Sequence, residues 1–173
     1  MAKRIMIVIC FLTVMWGCTG HPDGVHPVTD FALSRYLGKW YEIARLDHRF
    51  ERGLSHVSAT YTLRKDGGVD VLNRGFDKST AKWQEAKGKA YFIGQPTVAS
   101  LKVSFFGPFY GGYHVMDIDK DRYSYALVCG PSHSYLWILA RDRTLDRTTI
   151  DRLIEVAKNA GFDTGSLIYV EQK

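Results

Sequence analysis

Few side chains in this 173-residue sequence stand at spacings suited to covalent chemistry. Ser132 and His133 adjoin in "GPSHS", but sequence neighbours rarely form a nucleophile and its base. There is no G-x-S-x-G elbow, no paired metal-ligand motif and no glycine loop that would cradle a phosphate. His21 and His26 fall in a Gly/Pro/His-rich stretch without further residues at ligand spacing, so neither a metal nor another cofactor is expected. The side chains that invite a physical account are of another kind. In "LGKWYEIARL" Trp40 follows Gly38 at the start of a strand-like run, and a buried indole needs a partner for its ring N–H. Arg141 closes a second apolar run, "YLWILAR". A guanidinium stacked on an indole is worth about 0.5–2 kcal/mol. Such a contact requires a fold that brings the two together.

The elements between them supply one. "GKWYEIARL", "HVSATYTLR", "VDVLNRGF", "KWQEAKGKAYFI", "VASLKVSFF", "YHVMDI", "YSYALVC" and "YLWILAR" read as eight short strands. They are separated by "DHRFERG", "KDGG", "DKST", "GQPT", "GPFYGG", "DKDR" and "GPSHS". Val57, Ala59, Tyr61 and Leu63 share one face of the second strand, and Gly88 is a candidate bulge or bend in the fourth. Consecutive strands with short connections form an up-and-down antiparallel meander, which loses its free edges by closing into a barrel. Strands one and eight are then neighbours, and Arg141 meets Trp40 at one end, where Gly38 leaves room for the entering chain. "LDRTTIDRLIEVAKNAGF" carries Ile150, Leu153, Ile154 and Ala157 at helical spacing. Asp146 is its candidate N-cap and Gly161 its stop. The helix would pack outside the wall, followed by a short last strand, "SLIYV".

An eight-stranded barrel is wide enough to be packed or to hold one small ligand. If Arg141 points to the axis, the period of two turns Leu139, Trp137 and Tyr135 inward as well. Leu101, Val103 and Phe105 share a face of strand five, with Phe109 and Tyr110 on the loop above and Tyr113 beyond. These residues would line an apolar shaft, or else simply pack it. Trp40 inward implies Glu42 inward, and a carboxylate in an apolar cup must pair, stay near water or take up a proton.

The N-terminus reads differently. Lys3 and Arg4 precede the unbroken apolar run "IMIVICFLTVM", too short to span a bilayer and shaped like an export signal over residues 1–17. Gly17–Cys18 after it resembles the lipobox of bacterial lipoproteins, in which the cysteine receives the lipid. Met15 and Trp16 depart from the usual residues there, so a plain secretory cut nearby is the alternative. Two or three acyl chains make a stable anchor where one does not. In the lipoproteins that this stretch resembles, a residue such as Thr19 rather than Asp after the cysteine lets the protein proceed to the outer membrane. Residues 18–30 would be the lipidated N-terminus and a tether, and 31–173 the folded domain. With Cys10 lost and Cys18 lipidated, Cys129 is left as a buried thiol; without lipidation a Cys18–Cys129 bridge competes. Loss of Lys3 and Arg4 lowers the net charge from +5 to +3, and the scattered basic residues give no nucleic-acid-binding module.

"GKW", "DRYSYALV" from Asp121 to Val128, and "LWILAR" ending at Arg141 resemble the three sequence motifs of lipocalins. Gly38, Trp40, Asp121 and Arg141 are the motif positions, and Arg122 stands where many members have tyrosine. "GKWYEIARLDHRFERG", "KVSFFGPFYGGY" and "ALVCGP…YLWILAR" are similar to the bacterial outer-membrane lipoprotein branch of that family. The resemblance implies an all-β lipocalin barrel with one C-terminal helix, lipid-anchored at the periplasmic face of the outer membrane. It implies a cup for a fatty acid or lysophospholipid, used in lipid storage, transport or membrane maintenance, and leaves a homodimer open. In "DHRFERG", His48, Arg49 and Arg52 surround Phe50; the arginines would hold a carboxylate or phosphate at the rim, unless the loop is merely solvated. His114 is the candidate for a pigment ligand near the shaft. The alternatives are a structural envelope lipoprotein with a filled barrel and a lipid-modifying enzyme.

Overall fold

The computed structural model describes residues 19–172, so the export signal and Cys18 lie outside the described residues. Eight antiparallel strands follow in the expected order: β1 (Gly38–Arg45), β2 (Leu54–Leu63), β3 (Val69–Asp77), β4 (Lys82–Phe92), β5 (Ser100–Phe106), β6 (Phe109–Ile118), β7 (Tyr125–Cys129) and β8 (Leu136–Ala140). Each pairs with the next, and β1 pairs with both β2 and β8, which closes the ring. The β2–β3 turn at "KDGG" is made by Arg64 N donating to Gly68 O at 2.9 Å, with Gly67 at φ +81°.

One short element shuts one end. A four-residue helix, α1 (Leu33–Tyr36), enters beneath the ring with Phe31, and Tyr36 and Phe31 are buried under Trp40. Outside the wall lies α2 (Arg147–Asn159), capped as its sequence requires: Asp146 Oδ1 accepts from Thr149 N at 2.8 Å, and Gly161 follows at φ +89°. Its Ile150, Leu153 and Ala157 pack on Leu127, Cys129, Leu136 and Ile138. Cys129 is therefore a fully buried part of that contact, and burial pushes its thiol up to about 12. The final strand, β9 (Ile168–Tyr169), lies on the open-end half of β1. There β1 and β2 have parted, and the tail bridges them: His56 N donates to Glu171 O, and Gln172 Nε2 donates to Glu42 O and Val57 O, both at 2.8 Å.

Three local expectations differ from what is found. Gly88 is not a bulge, since β3 and β4 pair without interruption through Val71–Gly88. Its missing side chain makes room for Phe105, whose ring would lie 2.8 Å from an added Cβ. Phe109 and Tyr110 are not on a loop but begin β6, leaving Gly107–Pro108 as the turn. Residues 20–30 are not a free tether. Val25 is buried against the α2 cluster and Val28 exchanges backbone bonds with Val115 O and Ala99 N, both at 2.8 Å. The apolar surface that Val25 offers to the α2 cluster and the backbone bonds that Val28 makes beside β5 and β6 outweigh a composition that reads as loop.

Candidate functional site

The closed end is built on Trp40, which is 0% exposed. Its Nε1 donates to Tyr36 O at 2.8 Å, and the Arg141 guanidinium sits 3.9 Å from the indole centroid. Arg141 also ties the entering chain down, donating to Lys39 O, Arg35 O and Tyr123 O at 2.9, 2.7 and 3.2 Å. Gly38 holds φ +94°, with Arg141 Nη1 3.4 Å from where a Cβ would be. The glycine thus serves both the turn of the chain and the approach of the guanidinium. Asp121 takes a smaller part than its motif position suggests: its backbone oxygen accepts from Arg35, but its side chain is exposed. The carboxylate that organises this turn is Asp119, accepting from the N–H groups of Asp121, Arg122 and Ser124 and from the Ser124 hydroxyl. Tyr123, two residues after Asp121, is buried, and its hydroxyl accepts from Ala32 N at 3.0 Å.

Above this floor the barrel encloses a cavity of about 630 Å³, inside the usual range for small-ligand sites. Val103, Phe105, Phe109, Tyr110, Tyr113, Tyr135, Trp137 and Leu139 all line it, together with Val57, Val69, Val71, Ala90 and Leu101. A filled barrel is thereby ruled out. Sequence reasoning passed over the tyrosine cluster at the bottom. Tyr113 Oη lies 2.6 Å from Tyr36 Oη and 2.8 Å from Tyr61 Oη, so three hydroxyls satisfy one another in an otherwise apolar place. Burial holds all three phenols well above their ordinary range. The amide oxygen of Asn73, on the wall, is buried without a hydrogen-bond partner among the described residues.

Towards the open end the wall becomes ionic. A bulge in β1 between Glu42 and Ala44 turns Ile43 and Ala44 outward to the α2 cluster and leaves Glu42 and Arg45 both facing inward, opposite Leu139 and Trp137. Arg45 Nη1 donates to Glu42 Oε1 at 2.7 Å, and Nη2 donates to Glu51 O at 2.7 Å. Glu51 is buried too, accepting from Trp137 Nε1 at 3.1 Å, with His48 Nε2 also at 3.1 Å. Burial and then the neighbouring Glu51 charge push the Glu42 carboxyl well above the carboxylate range, against the pull of Arg45. Burial also pushes Glu51 up, but His48 and Trp137 outweigh it and hold that carboxyl below its ordinary value. The two carboxyls are thus pushed in opposite directions, Glu42 up and Glu51 down, as one interacting pair. A strand reading with strict alternation turns Arg45 outward, so only the bulge reveals this cluster.

The rim differs from expectation. Arg49 is exposed and Arg52 pairs on the outer surface with Asp47 at 2.7 Å; neither lines the cavity. The residues of that loop that do are Phe50 and Glu51. His114 faces away from the cup, buried beneath the N-terminal segment, with Nδ1 2.8 Å from Ser100 Oγ. Ser132 and His133 do not face each other: Ser132 Oγ accepts from Ser134 N, and His133 Nε2 meets Ala160 O at 2.9 Å. No group of three or more His, Cys, Asp or Glu among the described residues could hold a metal.

A ring of eight strands around one cavity, its floor sealed by tryptophan and arginine, agrees with comparison to known proteins. The family model of the lipocalin-like domain matches residues 31–172. The chain is a lipocalin. It is 54% identical over 171 residues to the outer membrane lipoprotein Blc of Vibrio cholerae, covering 99% of each chain. It is 53% identical to the protein of the same name in Escherichia coli K12, covering 94% of this chain and 91% of that one. Among solved structures, insecticyanin from the tobacco hornworm superposes with a TM-score of 0.71 at 21% identity, covering 89% and 87%. This lipocalin thus belongs to the bacterial outer-membrane lipoprotein branch.

Proposed function

We propose that this lipocalin holds a monoacyl lipid, a fatty acid or lysophospholipid, with the acyl chain in the cup, and that it carries or stores such lipids at the outer membrane. The observation that carries the reading is the cavity itself: about 630 Å³, walled by aliphatic and aromatic side chains, sealed at one end and open at the other. Each methylene moved there from water gains about 0.8 kcal/mol, and a single chain suits a shaft one barrel wide. Two polar groups of the inner wall, the Glu51 carboxyl and the Asn73 oxygen, accept hydrogen bonds or carry negative charge. They favour a headgroup with hydroxyl or ammonium donors over a bare carboxylate, which places lysophospholipid ahead of free fatty acid. In the same reading Cys18 carries the lipid anchor. Titration with a fluorescent fatty acid, displaced in turn by lysophosphatidylethanolamine and by palmitate, tests it. Saturable binding displaced more readily by the lysophospholipid is expected; absence of saturable binding overturns the proposal.

A further inference from the structure

Large apolar side chains left in water are not spread evenly over this barrel. Phe50 is 62% exposed, Trp83 49%, Phe106 82% and Phe109 63%. All four stand at the open end: Phe50 in the β1–β2 loop, Trp83 at the start of β4, and Phe106 and Phe109 on either side of the β5–β6 turn. Ile168 and Tyr169, also exposed, lie on β1 next to Arg45, its open-end residue. Leu63 alone among the exposed large hydrophobics of the described residues sits at the closed end. Large exposed apolar side chains gathered at one end in this way mark an interaction site. Basic side chains stand near it: exposed Arg49 precedes Phe50 in the loop, and the Arg74 guanidinium lies 4.3 Å from the Trp83 ring centroid.

The route of the N-terminal chain says what that site meets. The segment runs along the outside of the wall. Val28 pairs with Val115 and Ala99 near the closed end, His21 contacts the His114 ring, and the carbonyls of Gly20 and Thr19 lie against Gly112. Followed backwards it climbs β6 towards the mouth. Gly112 is three residues from Phe109, roughly 10 Å along a strand. Cys18 is the next residue in the sequence, and the described chain from Thr19 onward is seated on the wall, which leaves no free tether to let the barrel turn. Seated residues from Thr19 onward fix the orientation.

We infer that the open end is a membrane-docking face: the barrel sits mouth-down on the phospholipid surface, with Phe106 and Phe109 in the interfacial layer and Phe50 and Trp83 beside them. Aromatic side chains suit that layer, and one or two buried rings added to an acyl anchor convert attachment at a point into a fixed pose. The cup then opens directly onto the lipid, and a monoacyl chain passes between bilayer and barrel without crossing water. The docking face stands on the rim and the seated N-terminal segment; the passage of lipid also rests on the reading of the cup as a lipid site.

The test uses acylated protein reconstituted in vesicles of phosphatidylethanolamine and phosphatidylglycerol. An environment-sensitive dye is attached at Phe106→Cys in one preparation and at Leu63→Cys in another; both sites are on the surface, and Cys129 is shielded. Bromine on the vesicle acyl chains quenches dyes that reach the interface. The expected result is quenching at position 106 at least several-fold stronger than at 63. Equal quenching at both positions, stronger quenching at 63, or none at either overturns the docking face. None of these results depends on what the cup binds, so the ligand titration fails or succeeds separately.

Discussion

Replacing Arg141 by methionine keeps an unbranched apolar stem beneath Trp40 and removes the guanidinium. The losses can be worked from the contacts. The stack at 3.9 Å is worth about 0.5–2 kcal/mol. The three donations to Lys39, Arg35 and Tyr123 carbonyls would each be worth about 1.5–3 kcal/mol if dry. Arg141 is only partly buried and water can replace part of each, so about 0.5–1 kcal/mol apiece is the fair figure. The expected cost is about 3 kcal/mol, a fall in Tm of roughly 6–12 °C for a chain of this size. Urea unfolding followed by tryptophan fluorescence reads the cost directly, provided m is unchanged. Arg141→Lys should recover little, because a point charge cannot stack and reach three carbonyls together. A double-mutant cycle with Trp40→Phe isolates the stack. A loss below about 1 kcal/mol, or full rescue by lysine, would refute the claim that this residue staples the floor.

Three further outcomes are expected. The Glu42 carboxyl is held well above 4.5 by burial and by Glu51, so the folded state keeps a proton that the unfolded chain has lost. Its contribution to stability is full below the ordinary carboxylate value. It is lost as pH rises towards the folded value, by about 1.4 kcal/mol for each tenfold drop in proton concentration. Glu42→Gln, neutral at every pH and able to bond both Arg45 and Glu51, should be more stable than the native protein at pH 8 and indistinguishable near pH 4; parallel profiles would show that Glu42 is ionised. Gly88→Val should drive Phe105 into the cup and lower affinity for a fluorescent fatty acid about tenfold, and unchanged affinity would mean the ring has another way out. Removing residues 171–173 should cost about 1–3 kcal/mol and speed amide exchange at His56, whose N–H bonds Glu171 O; unaltered exchange there would show that the tail does not hold the β1–β2 seam.

The ring of strands, the outer helix and the stapled floor were legible because each rests on local pattern. Turn residues at "KDGG" and "GQPT" separate the runs, Asp146 and Gly161 bracket the helix, and Trp40 and Arg141 end strands that closure makes neighbours. The apolar wall followed from period two, which is why Tyr135, Trp137 and Leu139 were readable as one face. The rim was misread for a plain reason: Arg52 has Asp47 five residues away in the same loop, and an exposed pair competes with any ligand.

By itself, then, the sequence determined how many strands there are, which of their faces is apolar and where they turn, since propensity and periodicity act over a few residues. Only the tertiary structure decided which polar groups are sealed inside. The β1 bulge that turns Arg45 towards Glu42, the fold of the loop that buries Glu51 and His48, and the seating of Val25 and Val28 on the wall all depend on strand register and on surfaces far apart in the chain. Burial is a property of the assembled ring, and with it go the direction in which each carboxyl is shifted and the end at which the cup is open.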